Sequence, residues 1–209
     1  LDDEKLKPYF ELDKVIEGVF TVAEELYGLR FDEVNNIDTY HKDVKTFRVS
    51  DNDGKLVSIF YADFHPRPGK RGGAWMTSYK PQQIINGIND RPHVSIVCNF
   101  TKPVLSTVEG ATESKPSLLT FNEVTTLFHE FGHALHGMLA NTTYKGLSGT
   151  NVFWDFVELP SQILENWFYE KEALELFATH YEHGEVIPIE LIEKIKDSAT
   201  FHEGMQTLR

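Results

Sequence analysis

A chain of 209 residues is long enough for one or two domains and a buried core, and its 41% apolar and 25% charged residues describe an ordinary globular protein. Lys+Arg 20 against Asp+Glu 32 leaves a net charge of −12, which repels phosphate backbones and anionic bilayers and argues against nucleic acid or membrane surfaces as partners. A single cysteine, Cys98, excludes an internal disulfide, and no apolar run approaches the ~20 residues of a membrane span.

The N-terminal "LDDEKLKPYFELD" is acidic, lacks an apolar signal core and begins with Leu1. At the other end "FHEGMQTLR" stops within a helical pattern, so a fragment of a longer protein is expected. A cytoplasmic location fits the lone cysteine, with the periplasm as the alternative.

Residues 8–28 place Phe10, Leu12, Val15, Ile16, Val19, Phe20, Ala23 and Leu26 at helical spacing and predict an amphipathic helix. "VKTFRVS" and "KLVSIFYADF" flank the turn signal "DNDG" and predict a β-hairpin over 44–64. "GGAWMTSY" (72–79) and "HVSIVCNF" (93–100) read as further strands, with Pro81, Gly87 and Pro92 punctuating a loop between them. "VEGATESKPS" (108–117) reads as a polar connection. Thr120 and Glu123 then form a capping box ahead of an apolar run. A second helix is expected over about 155–178. A third starts near Pro188, with Leu191, Ile192, Ile195, Ala199 and Met205 on one face. The expected fold class is α+β, mainly α: a small twisted sheet within 1–117, then a helical half over 118–209.

Within "TLFHEFGHALHG", His129 and His133 are four apart. On a helix they share a face, and two imidazoles so placed can converge on one ion at about 2.1 Å each. Glu130 flanks the ion without having to ligate it and is placed to accept a proton from an activated water. A catalytic site needs a third protein ligand and one open position. His136 shares the general face but points further along the axis, so it reads as a supporting residue or a core hydrogen-bonder. Glu158, 25 residues after His133, leaves room for a loop and a returning helix and is the better candidate. Its competing role is a cap, because Asp155-x-x-Glu158 also resembles a capping box. Glu165, seven residues on, shares the face of Glu158. It fits either a partner of a ligating histidine or a solvated surface carboxylate.

"LFHEFGHALHG", "LSGTN" and "DFVELPSQILENW" in that order resemble the thimet oligopeptidase family of zinc metallopeptidases. The likeness covers essentially the whole chain. "LKPYFELDKVIEGVF", "YHKDVKTF", "FYADFHPRPGKRGGAWM" and "VCNFTKP" look most like the peptidyl-dipeptidase branch. The resemblance implies a zincin-like catalytic domain, of which 1–209 is a part lacking the C-terminal remainder. It implies one zinc ion per chain, held by His129, His133 and Glu158, with Glu130 as catalytic base. It also implies that "GGAWM", with Gly73 and Ala74, is an edge strand pairing with an extended substrate, and that Ser148 to Thr150, with Gly149, is a cleft loop. The family's later Gly-Tyr-rich segment, which supplies a histidine and tyrosines to the scissile carbonyl and the peptide, has no counterpart in these residues.

The expected activity is hydrolysis of short peptides by a monomer, with release of C-terminal dipeptides. Competing readings are an oligoendopeptidase, a zinc-binding but inactive fragment or peptide-binding domain, and structural zinc. The last is disfavoured because such sites usually use four protein ligands and much cysteine. Imidazole and carboxylate donors would also accept cobalt or manganese.

Overall fold

A computed structural model describes residues 2–104 and 115–200. After a short helix α1 (Asp3–Leu6), the predicted N-terminal helix starts later than its periodicity suggests. Pro8 lies in a 3-10 turn, Lys7–Tyr9, and Phe10 is fully buried outside the helix, with its ring 5.5 Å from that of Phe168. The helix proper, α2, runs Leu12–Tyr27 and buries Leu12, Val15, Ile16, Val19, Val22 and Ala23 on one stripe. It ends at Gly28, whose φ of 66° is the left-handed conformation that closes helices at low steric cost.

A strand not anticipated from the sequence follows: β1 (Arg30–Glu33). Three of its four residues are exposed and charged, so only Phe31 carries an apolar signal. The hairpin β2 (Lys45–Ser50) and β3 (Leu56–Asp63) forms as expected. Asp51 Oδ1 accepts the N–H groups of Asp53 and Lys55 and holds its turn. The two later strands also form, as β4 (Trp75–Lys80) and β7 (His93–Val97). The stretch between them is more than a loop. It folds into a second hairpin, β5 (Gln83–Ile85) and β6 (Ile88–Asp90), around Asn86 and Gly87 with φ of 51° and 79°. Asn-Gly with both residues at positive φ is the preferred two-residue hairpin turn, a signal the punctuation reading passed over.

The main sheet has the order β1-β2-β3-β7-β4. β3 and β7 are parallel and the other pairs antiparallel, so β4 is an edge strand. One face is covered by α2 and by α3 (Phe121–Met138), through an aromatic core in which Phe20 stacks on Phe31 at 4.1 Å and Phe60 meets Phe131 edge-on at 5.8 Å. Such pairs add about 0.5–1.5 kcal/mol beyond their buried area.

The single helix expected over 155–178 is three: α4 (Trp154–Val157), α5 (Leu159–Trp167) and α6 (Lys171–Phe177). Pro160 has no N–H to continue the ladder and occupies a first-turn position of α5, so the chain restarts there. α7 (Ile189–Thr200) follows Pro188 and buries Ile192 and Ile195. The side chain of Ala199, all of Met205 and most of the 108–117 connection lie outside the described residues. The α+β class stands, with the sheet in the N-terminal half and helices after it.

Candidate metal centre and cleft

The capping box forms: Thr120 Oγ1 accepts the Glu123 N–H, and the Glu123 carboxylate accepts the Thr120 N–H. It starts α3 in the register that turns Val124, Leu127, Phe128, Phe131, Leu135 and Met138 into the core. The opposite stripe then carries His129 and His133. Between the two faces, Gly132 lets α5 approach closely. A Cβ there would stand 2.5 Å from Ser161 Cα and 2.6 Å from the Pro160 carbonyl oxygen. That close approach lays Glu158, at the junction of α4 and α5, over the two histidines.

Glu158 Oε2 lies 3.3 Å from His129 Nε2 and 3.1 Å from His133 Nε2. The three ligand atoms lie within 4.8 Å of one another, and the rings cross at 85°. The separations to the carboxylate are close to the ~3.4 Å edge of a tetrahedron with bonds of ~2.1 Å. Ser161 Oγ donates to Oε2 and to the main-chain oxygen of Glu158 and steadies the carboxylate. The capping alternative for Glu158 is not what the chain builds. The N-cap of α4 is Phe153, without a side-chain cap, and the Glu158 side chain makes no cap bond to α5.

His129 Nδ1 meets Glu165 Oε1 at 2.6 Å. A carboxylate only accepts, so His129 Nδ1 donates its N–H to Glu165, while Nε2 faces Glu158. Burial pushes the pKa of His133 down, against the upward pull of Glu158, and its buried Nδ1 has no hydrogen-bond partner. Two imidazole nitrogens thus face one carboxylate oxygen. The donor set is the N,N,O type that suits a divalent transition ion.

Glu130 is on the same helix but turned toward β4. Its side chain is buried (8% exposed) in a hollow of about 380 Å³ that it shares with Ala74, Trp75, Met76, Thr150 and the histidines. Burial holds its carboxyl above the usual carboxylate range. The Glu158 charge adds to this, while His129 and a backbone hydrogen bond from Met76 oppose it. The hollow continues along β4 in both directions. One arm of about 300 Å³ runs beside Met76 to Ser78 and Ser148 to Asn151. The other, about 450 Å³, passes Ala74, Asn122, Thr125 and Glu165. Asn122, Thr125 and Asn151 were not singled out from sequence, since nothing local marks a surface threonine or asparagine as cleft-lining.

Of the expected cleft residues, Ala74 and Gly149 line this groove, while Gly73 stands just outside it. Gly73 has φ of 91°, and its carbonyl accepts a hydrogen bond from Asn99. Gly149, at φ 59°, packs so tightly that a Cβ would lie 3.1 Å from Gly137 Cα. His136 is not brought to the other histidines. It lines a separate, mainly apolar hollow of about 530 Å³ and touches Phe156 edge-on at 6.1 Å. Burial, reinforced by His133, pushes its pKa down, and its Nδ1 is also without a partner. A second His/Glu group, His180, Glu182 and His183, lies on a half-exposed turn. There His180 Nδ1 accepts the Glu182 N–H, so the remaining nitrogen carries the proton and is a poor ligand.

Comparison with known proteins gives consistent results. The family model described as "Peptidase family M3" matches residues 1–209. Dipeptidyl carboxypeptidase of Salmonella typhimurium is 43% identical over 205 residues, 98% of this chain and 29% of the relative. Oligopeptidase A of Escherichia coli is 41% identical over 211 residues, 100% of this chain and 30% of the relative. A probable cytosolic oligopeptidase A of Arabidopsis thaliana is 38% identical over 216 residues, again 100% and 30%. The chain thus spans about 30% of the length of these curated relatives.

Proposed function

The chain belongs to peptidase family M3, and from that premise we propose that it forms part of the catalytic domain of a zinc-dependent peptidase acting on short peptides. His129, His133 and Glu158 hold the ion, and Glu130 is the catalytic base. The single observation that carries this reading is the convergence of two Nε2 atoms on Glu158 Oε2 at 3.3 and 3.1 Å, with the Glu130 carboxyl in the same hollow. A bound divalent ion would polarise a peptide carbonyl and acidify a neighbouring water.

The protein's own groups supply the remainder. Glu130, with its proton affinity raised by burial, takes a proton from water and returns it to the leaving amine. Glu165 holds the His129 ring in the tautomer whose Nε2 faces the ion. The edge of β4, with Ala74 just before it, pairs with the extended peptide, Gly73 shapes the approach to that edge from outside the groove, and Ser148 to Thr150 with Gly149 form the facing wall. The relatives named dipeptidyl carboxypeptidase and oligopeptidase A are of nearly equal identity. We favour release of C-terminal dipeptides, on the segments around "KRGGAWM". The lone Cys98 and the cytosolic relative favour the cytoplasm.

Elemental mass spectrometry of the purified protein tests the site: about one zinc per chain, lost in Glu158→Ala, is expected. Glu130→Gln is expected to keep the metal and lose about 10²–10⁴-fold in kcat. A near-unchanged rate would remove Glu130 from the mechanism. Cleavage of a peptide with a free C-terminus but not of its amidated form supports dipeptide release, whereas equal cleavage of both points to an endopeptidase.

A further inference from the structure

β4 takes the edge position beside Glu130, yet the chain reaches it by an unusual route. β3 and β7 are parallel and neighbours, so the segment after Asp63 must cross the C-terminal end of β7 before it can run back as β4. The crossing, residues 64–74, contains no helix and no ladder. Side-chain packing does not hold it either at its glycines, because a Cβ on Gly69, Gly72 or Gly73 would meet nothing within 4 Å. Polar ties remain, and they are concentrated at two points.

The first is deep. Asp63, 1% exposed, accepts both guanidinium nitrogens of Arg67 at 2.7 and 2.8 Å, Lys70 Nζ at 2.9 Å and the Tyr40 hydroxyl at 2.9 Å. Lys70 Nζ also donates to the carbonyls of Asp63, His65 and Cys98, so one ammonium joins the end of β3, the crossing and the end of β7. The second tie is at the far end of the crossing. Asn99, just past β7, donates through Nδ2 to the carbonyls of Arg71, at 3.0 Å, and Gly73, at 2.7 Å. The next residues, Ala74 to Met76, form the wall of the hollow opposite the histidines and Glu130.

Asn99 is therefore the last restraint on the backbone before it enters the cleft. We infer that Asn99, backed by the Asp63–Lys70 pair, is a positioning residue for the peptide substrate: it sets the cleft end of β4 and so the backbone edge that the peptide pairs with. This rests on the functional reading above. Asn99 does not touch the groove itself, and its action passes through Gly73. A site far from the ion in sequence, between a strand and a loop, thus controls peptide affinity while leaving metal binding alone.

The handle is Asn99→Ala, since Asp63 and Lys70 are too deeply buried for a substitution to be read locally. Hydrogen–deuterium exchange of the protein is expected to rise about tenfold or more over residues 71–78 and to stay unchanged over 121–138, with metal content unaltered. In the same preparation KM for a short peptide should rise by about tenfold, with kcat changed far less, the signature of lost ground-state and transition-state binding together. Asn99→Asp, which keeps the shape and removes the N–H donors, should behave like the alanine variant. Exchange that rises equally in both segments, exchange that does not rise, or a kcat loss at constant KM would each overturn the inference. Should the unsubstituted protein show no turnover, the functional reading is what fails, and the exchange experiment still decides whether Asn99 sets the edge of β4.

Discussion

Asp63 at the end of β3 and Glu158 at the start of α5 are both ringed by nitrogen, but the rings are of opposite kinds. Around Asp63 stand two permanent cations and a hydroxyl, all donating, with the carboxylate 1% exposed. Burial would push its carboxyl up, but Arg67, Lys70 and Tyr40 overcome this and hold it at about 2. Around Glu158 stand two imidazoles whose Nε2 atoms face it, on a side chain nearly half exposed. The first cluster is complete and serves architecture. The second brings two imidazole nitrogens and one carboxylate oxygen within 4.8 Å of one another on a partly open surface, and that convergence makes it a candidate site.

The comparison can be broken by removing each carboxylate in turn. Asp63→Ala strands two cations, Lys70 being only 3% exposed, and is expected to cost about 3–5 kcal/mol in urea denaturation of the metal-free protein. Glu158→Ala should leave that stability within about 0.5 kcal/mol, because Glu158 is nearly half exposed and its partners are partly solvated. Equal costs would mean that both clusters are structural.

Acid sharpens the contrast further. A carboxyl depressed from about 3.9 when unfolded to about 2 when folded contributes stability that is fully present above about pH 5 and is lost progressively as the pH falls through 2. The contribution is about 2.6 kcal/mol at most, and Asp63→Asn should flatten the stability curve in that window.

Smaller effects probe the approach to the metal. Glu165→Ala frees the Nδ1 proton of His129 and is expected to weaken metal affinity about 10–100-fold by competition with a chelator. Gly132→Ala forces α5 away from α3 and should cost about 1–3 kcal/mol while also loosening the metal, since Glu158 travels with α5. Thr120→Ala removes only the cap of α3, about 1 kcal/mol by thermal melting, and should leave metal affinity as it was.

Much of this was legible in one dimension, and the reason differs from element to element. The capping box, the hairpin around "DNDG" and the paired histidines are local patterns, each decided by residues within a few positions. β1 escaped because an exposed charged edge strand has no apolar alternation to read, and β5–β6 because its Asn-Gly turn joins strands of only three residues. The break of one expected helix into α4, α5 and α6 had a visible cause in Pro160, but its consequence, a carboxylate presented at the break, was not a property of that residue alone.

His129, His133 and Glu130 were therefore marked by the sequence itself, through helical periodicity and the chemistry of imidazole and carboxylate. Glu158 was a candidate with two open roles, and Asn99 and the Asp63–Lys70 pair carried no signal at all. Tertiary structure decided these. Gly132 permits a helix contact that no side chain would, and that contact lays Glu158 over the two histidines rather than on a helix cap. The parallel neighbours β3 and β7 force the chain to cross between them, and only that crossing brings Asp63, Lys70 and Asn99 together behind the cleft.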